Sequence, residues 1–171
     1  MSILAESFAC EAHKNQRRKY AGEPYIVHPA RVVGLITSVT GDQATIDAAW
    51  LHDTVEDTSV TPEQIKEVFG DEIAKLVEEV TNVTKKTDGN RAYRKSIERQ
   101  HLAKASPRAK TIKLADVIDN VTDIMRNDRD FAKVFVPEKL ELLNYLTDGD
   151  PVLFQEAKRL ILDSLLELGL N

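Results

Sequence analysis

The chain has little cysteine, glycine and proline, and it has no long apolar run. Cys10 is the only cysteine, which excludes an internal disulfide and a cysteine-based zinc site. Seven glycines and six prolines are too few for low-complexity linkers. No stretch approaches the roughly 18 apolar residues of a membrane span, and the start Met1-Ser2-Ile3 does not begin a signal peptide. With 171 residues, these absences predict a single soluble, cytoplasmic domain over residues 1–171.

The net charge is low, and the charged residues are unevenly distributed along the chain. A net charge of −5 argues against binding to a nucleic-acid polymer, which needs a basic face. Positive charge is nevertheless concentrated in residues 14–19, with four basic residues and no acid, and in residues 85–113, with ten basic residues against two acids. Such local clusters suit a small polyanion, and the alternative is a pair of solvated helix faces.

The apolar residues repeat with the period of an amphipathic α-helix, and no alternating strand pattern is present. The second predicted helix starts after His28, and the third runs over residues 43–53. Val136-Pro137 either kinks a helix or begins a new one. Three further helix starts have a capping residue followed by proline: Thr61-Pro62, Ser106-Pro107 and Asp150-Pro151. The sequence therefore predicts an all-α fold, a compact bundle of about eight or more helices.

Four titratable residues, His52, Asp53, Glu56 and Asp57, directly follow an apolar segment that ends at Leu51. If one helix continues through them, His52 lies one turn from Glu56 and Asp53 lies one turn from Asp57. The His-Asp pair can offer a ring nitrogen and a carboxylate oxygen to one ion. The later carboxylates then lie about 6 Å further along the helix, where they suit acid–base groups beside that ion. The alternative is a capping acid next to a core histidine.

Two further segments offer candidate ligands. His28 precedes Pro29, which favours extended backbone at His28, just outside a helix start. Lys113, Asp116 and Asn120 have the spacing of one helical stripe, so the Asp could complete a metal site and the Asn could donate to a ligand. A core histidine and a solvated helix face are the structural alternatives. Two His and two Asp suit Mn²⁺, Fe²⁺ or Zn²⁺ better than Mg²⁺ or Ca²⁺.

Five blocks of this sequence together resemble the hydrolase domain of the RelA/SpoT family, a branch of the HD-domain phosphohydrolases named after the adjacent His-Asp. The resemblance covers roughly residues 5–125, and the length of 171 residues makes the chain similar to the free-standing small alarmone hydrolases. Lys19-Tyr20-Ala21-Gly22 departs from the Lys-Ser-Gly common in the family. The five blocks are His13–Lys19, Gly22–Pro29, His52–Thr58, Phe69-Gly70 and Lys113–Asp116 with Asn120.

The resemblance implies an HD-domain bundle and an enzyme. Its reaction would be hydrolysis of the 3′-pyrophosphate of guanosine tetra- or pentaphosphate, (p)ppGpp, to GDP or GTP and pyrophosphate. One divalent ion per chain, usually Mn²⁺ in the family, would be held at positions that match its ligands: His28, His52, Asp53 and Asp116.

The resemblance also assigns catalytic and substrate-binding roles. Glu56 and Asp57 match the pair that activates and steers the water. Arg18 and Lys19 match basic residues that contact the nucleotide, and Asn120 matches an amide that contacts the substrate. The position of the pair Lys85 and Lys86 adds a further candidate phosphate contact.

Two other functions use the same residues. A phosphatase of another phosphorylated nucleotide, for instance of the 2′-phosphate of NADPH, would use the same ion and carboxylates. A non-catalytic nucleotide-binding regulator or antitoxin-like partner would be favoured by loss of a metal ligand or of Glu56, and all of these are present. We therefore expect a small polyanionic nucleotide as the partner, and neither a nucleic-acid polymer nor a membrane.

Overall fold

The computed structural model describes residues 3–20 and 22–170, and within these ranges it is helical. The only extended pairing there is one isolated bridge between Arg17 and Pro24, so the predicted all-α fold is confirmed. Ala21, part of the Lys19–Gly22 segment that departs from the family, lies outside the described residues, as do Met1-Ser2 at the start. The helices are α1 (Ile3–Ala12), α2 (Val27–Val39), α3 (Gln43–Leu51), α4 (Thr54–Asp57), α5 (Pro62–Val80), α6 (Arg91–Ala103), α7 (Pro107–Asn127), α8 (Arg129–Leu143) and α9 (Pro151–Glu167).

The first of two compact units extends to Thr81 and contains α1 to α5. Helix α3 forms its centre, because α1, α2 and α5 all pack against it and every residue from Thr45 to Leu51 is buried. Asp42 caps this helix by accepting a hydrogen bond from the backbone N–H of Thr45. The chain therefore leaves α3 in the interior of the unit, and the residue that follows Leu51 is the buried His52.

The second compact unit begins at Asn82 and contains α6 to α9. Helix α7 packs against both α8 and α9, and its apolar side is fully buried. The turn before α9 approaches α7 closely at Gly149, where a Cβ would lie 2.8 Å from Leu114 Cδ1 and 3.2 Å from the backbone of Lys110. Any side chain at residue 149 would therefore crowd α7. The single domain over residues 1–171 stays a prediction.

The three helix starts predicted from a capping residue followed by proline are confirmed. Thr61 accepts a hydrogen bond from the Gln64 backbone, and the Gln64 side chain accepts one from the Thr61 backbone, which completes a capping box. Ser106 and Asp150 cap α7 and α9 with their side chains alone, which accept hydrogen bonds from the backbone N–H groups of the first turn. None of the helices found in the described part of the chain has both the length and the apolar character needed to cross a membrane.

Two predicted helix boundaries next to candidate ligands are wrong. Helix α2 begins at Val27, so His28 lies within its first turn and not in extended backbone before it. Pro29 is tolerated there because the N–H groups of a first turn have no acceptor within the helix. Helix α3 ends at Leu51 and α4 begins at Thr54, so His52 and Asp53 form a junction and no single helix continues through residues 52–57.

Candidate active site

The first unit brings three predicted metal ligands together at the junction between α3 and α4. His28 comes from the first turn of α2, while His52 and Asp53 occupy the junction itself. His28 and His52 are buried, and the Asp53 side chain is 16% exposed. Because α2 packs on α3, the two imidazoles meet edge to face with ring centroids 5.1 Å apart.

The ligand atoms of these residues form a nearly equilateral triangle. The Nε2 atoms of His28 and His52 are 3.2 Å apart. Asp53 Oδ2 lies 3.3 Å from His28 Nε2 and 3.2 Å from His52 Nε2. An ion with bonds of about 2.1 Å separates its ligand atoms by roughly 3.0 Å at right angles and by roughly 3.4 Å at tetrahedral angles. The triangle therefore fits one face of the coordination shell of a divalent ion.

The hydrogen bond at the far side of the His52 ring supports the same conclusion. His52 Nδ1–H donates to the carbonyl of Ala49 over 2.8 Å, so in the neutral ring Nε2 carries the lone pair. A ring held in this tautomer suits ligation through Nε2. Since His28 Nε2 lies opposite, an ion would satisfy both nitrogens at once.

Asp53 is at the N-cap position of α4, but its side chain makes no capping hydrogen bond. The capping alternative for this residue is therefore wrong, and the carboxylate is directed to the two histidines. Burial favours its neutral form, but the charges of His52 and His28 and their hydrogen bonds outweigh burial and hold the pKa of Asp53 well below its ordinary value. The group is thus an ionised carboxylate at neutral pH, the form that a metal ligand requires.

Tyr25 joins this triangle to the predicted acid–base pair. Its hydroxyl lies 2.7 Å from Asp53 Oδ2 and 2.8 Å from Asp57 Oδ2. Burial, together with the charge of Asp53, raises the pKa of Asp57, whereas the pKa of Asp53 is lowered. The Tyr25 hydroxyl can donate to either carboxylate, one at a time because it carries a single proton. Tyr25 therefore links Asp57 to Asp53 by hydrogen bonds beside the candidate metal site.

A second layer of contacts positions Tyr25 and Asp57. The His13 ring stacks on the Tyr25 ring with centroids 4.7 Å apart, and His13 Nδ1 bonds to the side-chain oxygen of Gln16 over 2.6 Å. The Gln16 amide in turn donates to the backbone carbonyl of Asp57. Sequence reasoning assigned no role to His13, Gln16 or Tyr25. A usable signal was the spacing of Tyr25, which precedes His28 by three residues, about one helical turn.

The remaining candidates in the first unit surround this centre. Glu56 lies in α4 with an exposed side chain. Arg18 is buried, with its guanidinium carbon 5.9 Å from the centre of the Tyr25 ring. Lys19 is exposed and donates to the Tyr20 hydroxyl over 2.9 Å. The two basic residues therefore differ in setting: Arg18 is buried beside Tyr25, and Lys19 is exposed beside Tyr20.

The other candidates belong to the second unit. Asp116 is buried on α7, where it accepts hydrogen bonds from Lys113 Nζ over 2.8 Å and from the Asn120 amide. The predicted stripe on this helix is thus a connected polar group centred on a carboxylate. Lys85 and Lys86 are exposed in the segment between α5 and α6.

Comparison with known proteins places this fold and site in one class. The HD domain family matches residues 5–142. The chain is 28% identical to a structure of a metazoan SpoT orthologue that hydrolyses ppGpp, with a TM-score of 0.84 over 99% of this chain and 96% of the other. The chain therefore belongs to the HD domain family.

Curated relatives show which branch of the HD domain family this chain resembles. The guanosine-3′,5′-bis(diphosphate) 3′-pyrophosphohydrolase MESH1 of Xenopus tropicalis is 43% identical over 127 residues, which cover 72% of this chain and 69% of that protein. The guanosine-3′,5′-bis(diphosphate) 3′-pyrophosphohydrolase of Aquifex aeolicus is 44% identical over 142 residues, 81% of this chain. The chain spans only 20% of the length of that Aquifex protein. The predicted resemblance to the RelA/SpoT-type hydrolase domain is confirmed.

Proposed function

We propose that this protein hydrolyses the 3′-pyrophosphate of (p)ppGpp, which gives GDP or GTP and pyrophosphate. The observation that carries the proposal is the triangle of His28, His52 and Asp53, whose ligand atoms lie 3.2 to 3.3 Å apart. The names of the relatives support the choice of nucleotide. We further propose one Mn²⁺ per chain, because a set of nitrogen and oxygen ligands suits this ion.

The fourth ligand in this proposal is Asp116, on the strength of the family resemblance and its carboxylate chemistry. Lys113 and Asn120 hold both of its oxygens and so fix its orientation. When bound, a divalent ion supplies Lewis acidity, which polarises a phosphoryl oxygen and acidifies water. The protein contributes the remaining chemistry.

Glu56 and Asp57 are the proposed proton-transfer groups. The attacking water loses one proton to a carboxylate, and the ribose 3′ oxygen leaves with one proton from an acid. Asp57 suits the second role because burial and the charge of Asp53 raise its pKa, and Tyr25 connects it to Asp53. Glu56, exposed at the surface of α4, suits the first role.

The proposed substrate contacts are positively charged or amide groups. Arg18 and Lys19 bind phosphates of the nucleotide, with Arg18 held in place against Tyr25. Asn120 contacts the substrate, and Lys85 and Lys86 provide exposed positive charge near the start of the second unit. Multiple cations suit a ligand that carries two diphosphate groups.

The test compares turnover of (p)ppGpp, with NADPH as a second substrate, in Mn²⁺ and in EDTA. Glu56→Gln keeps the size of the side chain but cannot accept the proton, so kcat should fall by about 10²–10⁴ while bound Mn²⁺ is unchanged. Glu67→Gln, an exposed glutamate in the same unit, is the matched control. If Glu56→Gln retains kcat within about threefold, far short of that range, Glu56 is not the base.

A further inference from the structure

The second unit contains a cleft between α6, α7 and α8 that the proposed mechanism does not use. We name it the basic cleft. Positive side chains dominate its lining, and two carboxylates and an amide accompany them. The residues that line it are Asn82, Lys95, Glu98, Arg99, Leu102, Lys113, Glu138, Lys139 and Leu142.

Both carboxylates that line the basic cleft already have hydrogen-bond or ion-pair partners. Glu98 accepts hydrogen bonds from Lys95 over 2.5 Å and from Thr84 over 2.6 Å. Glu138 forms a two-point ion pair with Arg91, at 2.6 and 2.8 Å, and Arg91 is outside the cleft lining.

Two lining cations are likewise paired with acids outside the lining, Arg99 with Glu141 at 3.0 Å and Lys113 with Asp116 at 2.8 Å. Among the described residues, one positive charge of the lining is therefore left without a carboxylate partner.

The positive charge without a carboxylate partner belongs to Lys139. In the ranges 3–20 and 22–170, its ammonium has no hydrogen bond and no carboxylate within ion-pair distance, and its contact is the Phe135 ring, 4.5 Å from Nζ to the ring centre. Burial lowers the pKa of Lys139 to about 8; the charges of Lys113 and Lys95 act in the same direction, and those of Asp116 and Glu138 act against it. Lys139 is half-buried, and an unpaired ammonium in such a position is unfavourable, a cost that a bound anion would reduce.

We propose that the basic cleft binds a phosphoryl group, with Lys139 as the cation that the anion neutralises. Lysine ammonium groups are point charges with three donors each, which suits an anion with several oxygens and more than one negative charge. Lys113 also connects the cleft to Asp116, since it donates to that carboxylate over 2.8 Å. That this phosphoryl group belongs to the nucleotide substrate rests on the function proposed above, whereas the anion site itself does not.

The test is calorimetric titration of the full-length protein with inorganic pyrophosphate in EDTA, where no ion is bound and no turnover occurs. Lys139→Met keeps most of the apolar side chain and removes the charge, and it should weaken binding by about tenfold or more. Lys133→Met is the matched control, because Lys133 is exposed on the same helix and already pairs with Asp130 at 2.9 Å. The control should bind pyrophosphate within about twofold of the parent, as expected when an exposed ion pair is lost.

Folding does not obscure this result, since Lys139→Met removes an unpaired, desolvated charge and should melt at or above the temperature of the parent. Equal affinities of parent and Lys139→Met, or no binding by the parent, would overturn the proposal and leave Lys139 as a packing contact for Phe135. His52→Ala should still bind pyrophosphate in EDTA. A parent that binds pyrophosphate through Lys139 yet does not hydrolyse (p)ppGpp would keep the anion site and refute the function proposed above.

Discussion

At the scale of single residues, His28 and His52 bring two ring nitrogens together in the buried part of the first unit. Their Nε2 atoms face each other at 3.2 Å, and His52 already uses its ring proton on the carbonyl of Ala49. In the neutral ring His52 therefore carries its lone pair on Nε2, the atom that faces His28 and Asp53. An ion bound to these three residues would account for the polar rings in the buried interior of the first unit.

This arrangement predicts the effect of removing one ring. His52→Ala should lose bound Mn²⁺ and (p)ppGpp hydrolysis together, because two protein ligands of the triangle cannot hold the ion at useful affinity. Helical content should be retained, as measured by circular dichroism, while metal content is measured by mass spectrometry. His101→Ala, a histidine of α6 outside the triangle, is the control. A His52→Ala protein that keeps a full equivalent of metal would falsify the assignment.

Tyr25 is a positioning residue, because its hydroxyl lies between Asp53 and Asp57. One substitution distinguishes this role of the hydroxyl from the packing of the ring. Tyr25→Phe keeps the ring that stacks on His13 but removes the hydroxyl between Asp53 and Asp57. Loss of such a supporting hydrogen bond typically costs about 10–100-fold in metal affinity or activity. We expect a Mn²⁺ dissociation constant raised by that order, with a melting temperature in EDTA close to that of the parent.

The control for this prediction is Tyr93→Phe, which changes an exposed tyrosine. A merely structural Tyr25 would give the opposite pattern: a lower melting temperature with unchanged ion affinity and unchanged kcat. Saturating Mn²⁺ should restore part of the lost activity of Tyr25→Phe, because the ligands themselves are intact.

At the scale of the elements, local capping signals could be read from the sequence and long-range contacts could not. Thr61 with Gln64 is a complete local signal, and the helix begins where it predicts. The break between Leu51 and Thr54 has no such signal. There His52 and Asp53 turn toward His28, a residue distant in sequence, so only the packing of α2 on α3 defines the geometry. The three candidate ligands could be selected from the sequence, but their arrangement could not.

Helix α5 offers a prediction at this scale, because its two halves meet at a single glycine. Gly70 has φ 85° and ψ 173°, a conformation that only glycine adopts without strain, and nothing lies within 4 Å of an added Cβ. Gly70→Ala should therefore destabilise the protein by about 1–3 kcal/mol through backbone strain alone. Equilibrium unfolding in urea measures this change.

Gly34 provides the matched control, since it lies within α2 and an added Cβ there also meets nothing within 4 Å. Gly34→Ala should leave stability unchanged or raise it by up to about 1 kcal/mol, because alanine is the better helix former. Equal effects of the two substitutions would show that the conformation at residue 70 is not strained for alanine.

At the scale of the whole molecule, charge is divided along the chain in a manner that suits a metal-dependent reaction on a polyanion. Residues 20–84 contain three basic and twelve acidic residues, and they include the triangle of ligands. Residues 85–113 contain ten basic residues and two acids, and much of the basic cleft lies there. One stretch can therefore hold a cation and the other an anion, a division that a net charge of −5 conceals.

Replacing Asp116 tests whether α7 contributes to ion binding, and the melting temperature is the quantity measured. An ion at about 100 times its dissociation constant stabilises a protein by about 2.7 kcal/mol, which raises the melting temperature of a chain of this size by about 5–10 °C. Asp116→Ala also deprives Lys113 and Asn120 of their acceptor, so the melting temperature in EDTA will fall for a reason unrelated to the ion.

The informative quantity is therefore the shift in melting temperature between EDTA and Mn²⁺ for each variant. Asp116→Ala should lose most of that shift, and Asp123→Ala, on the same helix and paired with Asn127, should keep it. If the shift of Asp116→Ala equals that of the parent at every Mn²⁺ concentration, Asp116 is not a ligand and its role is to hold Lys113 and Asn120 in place.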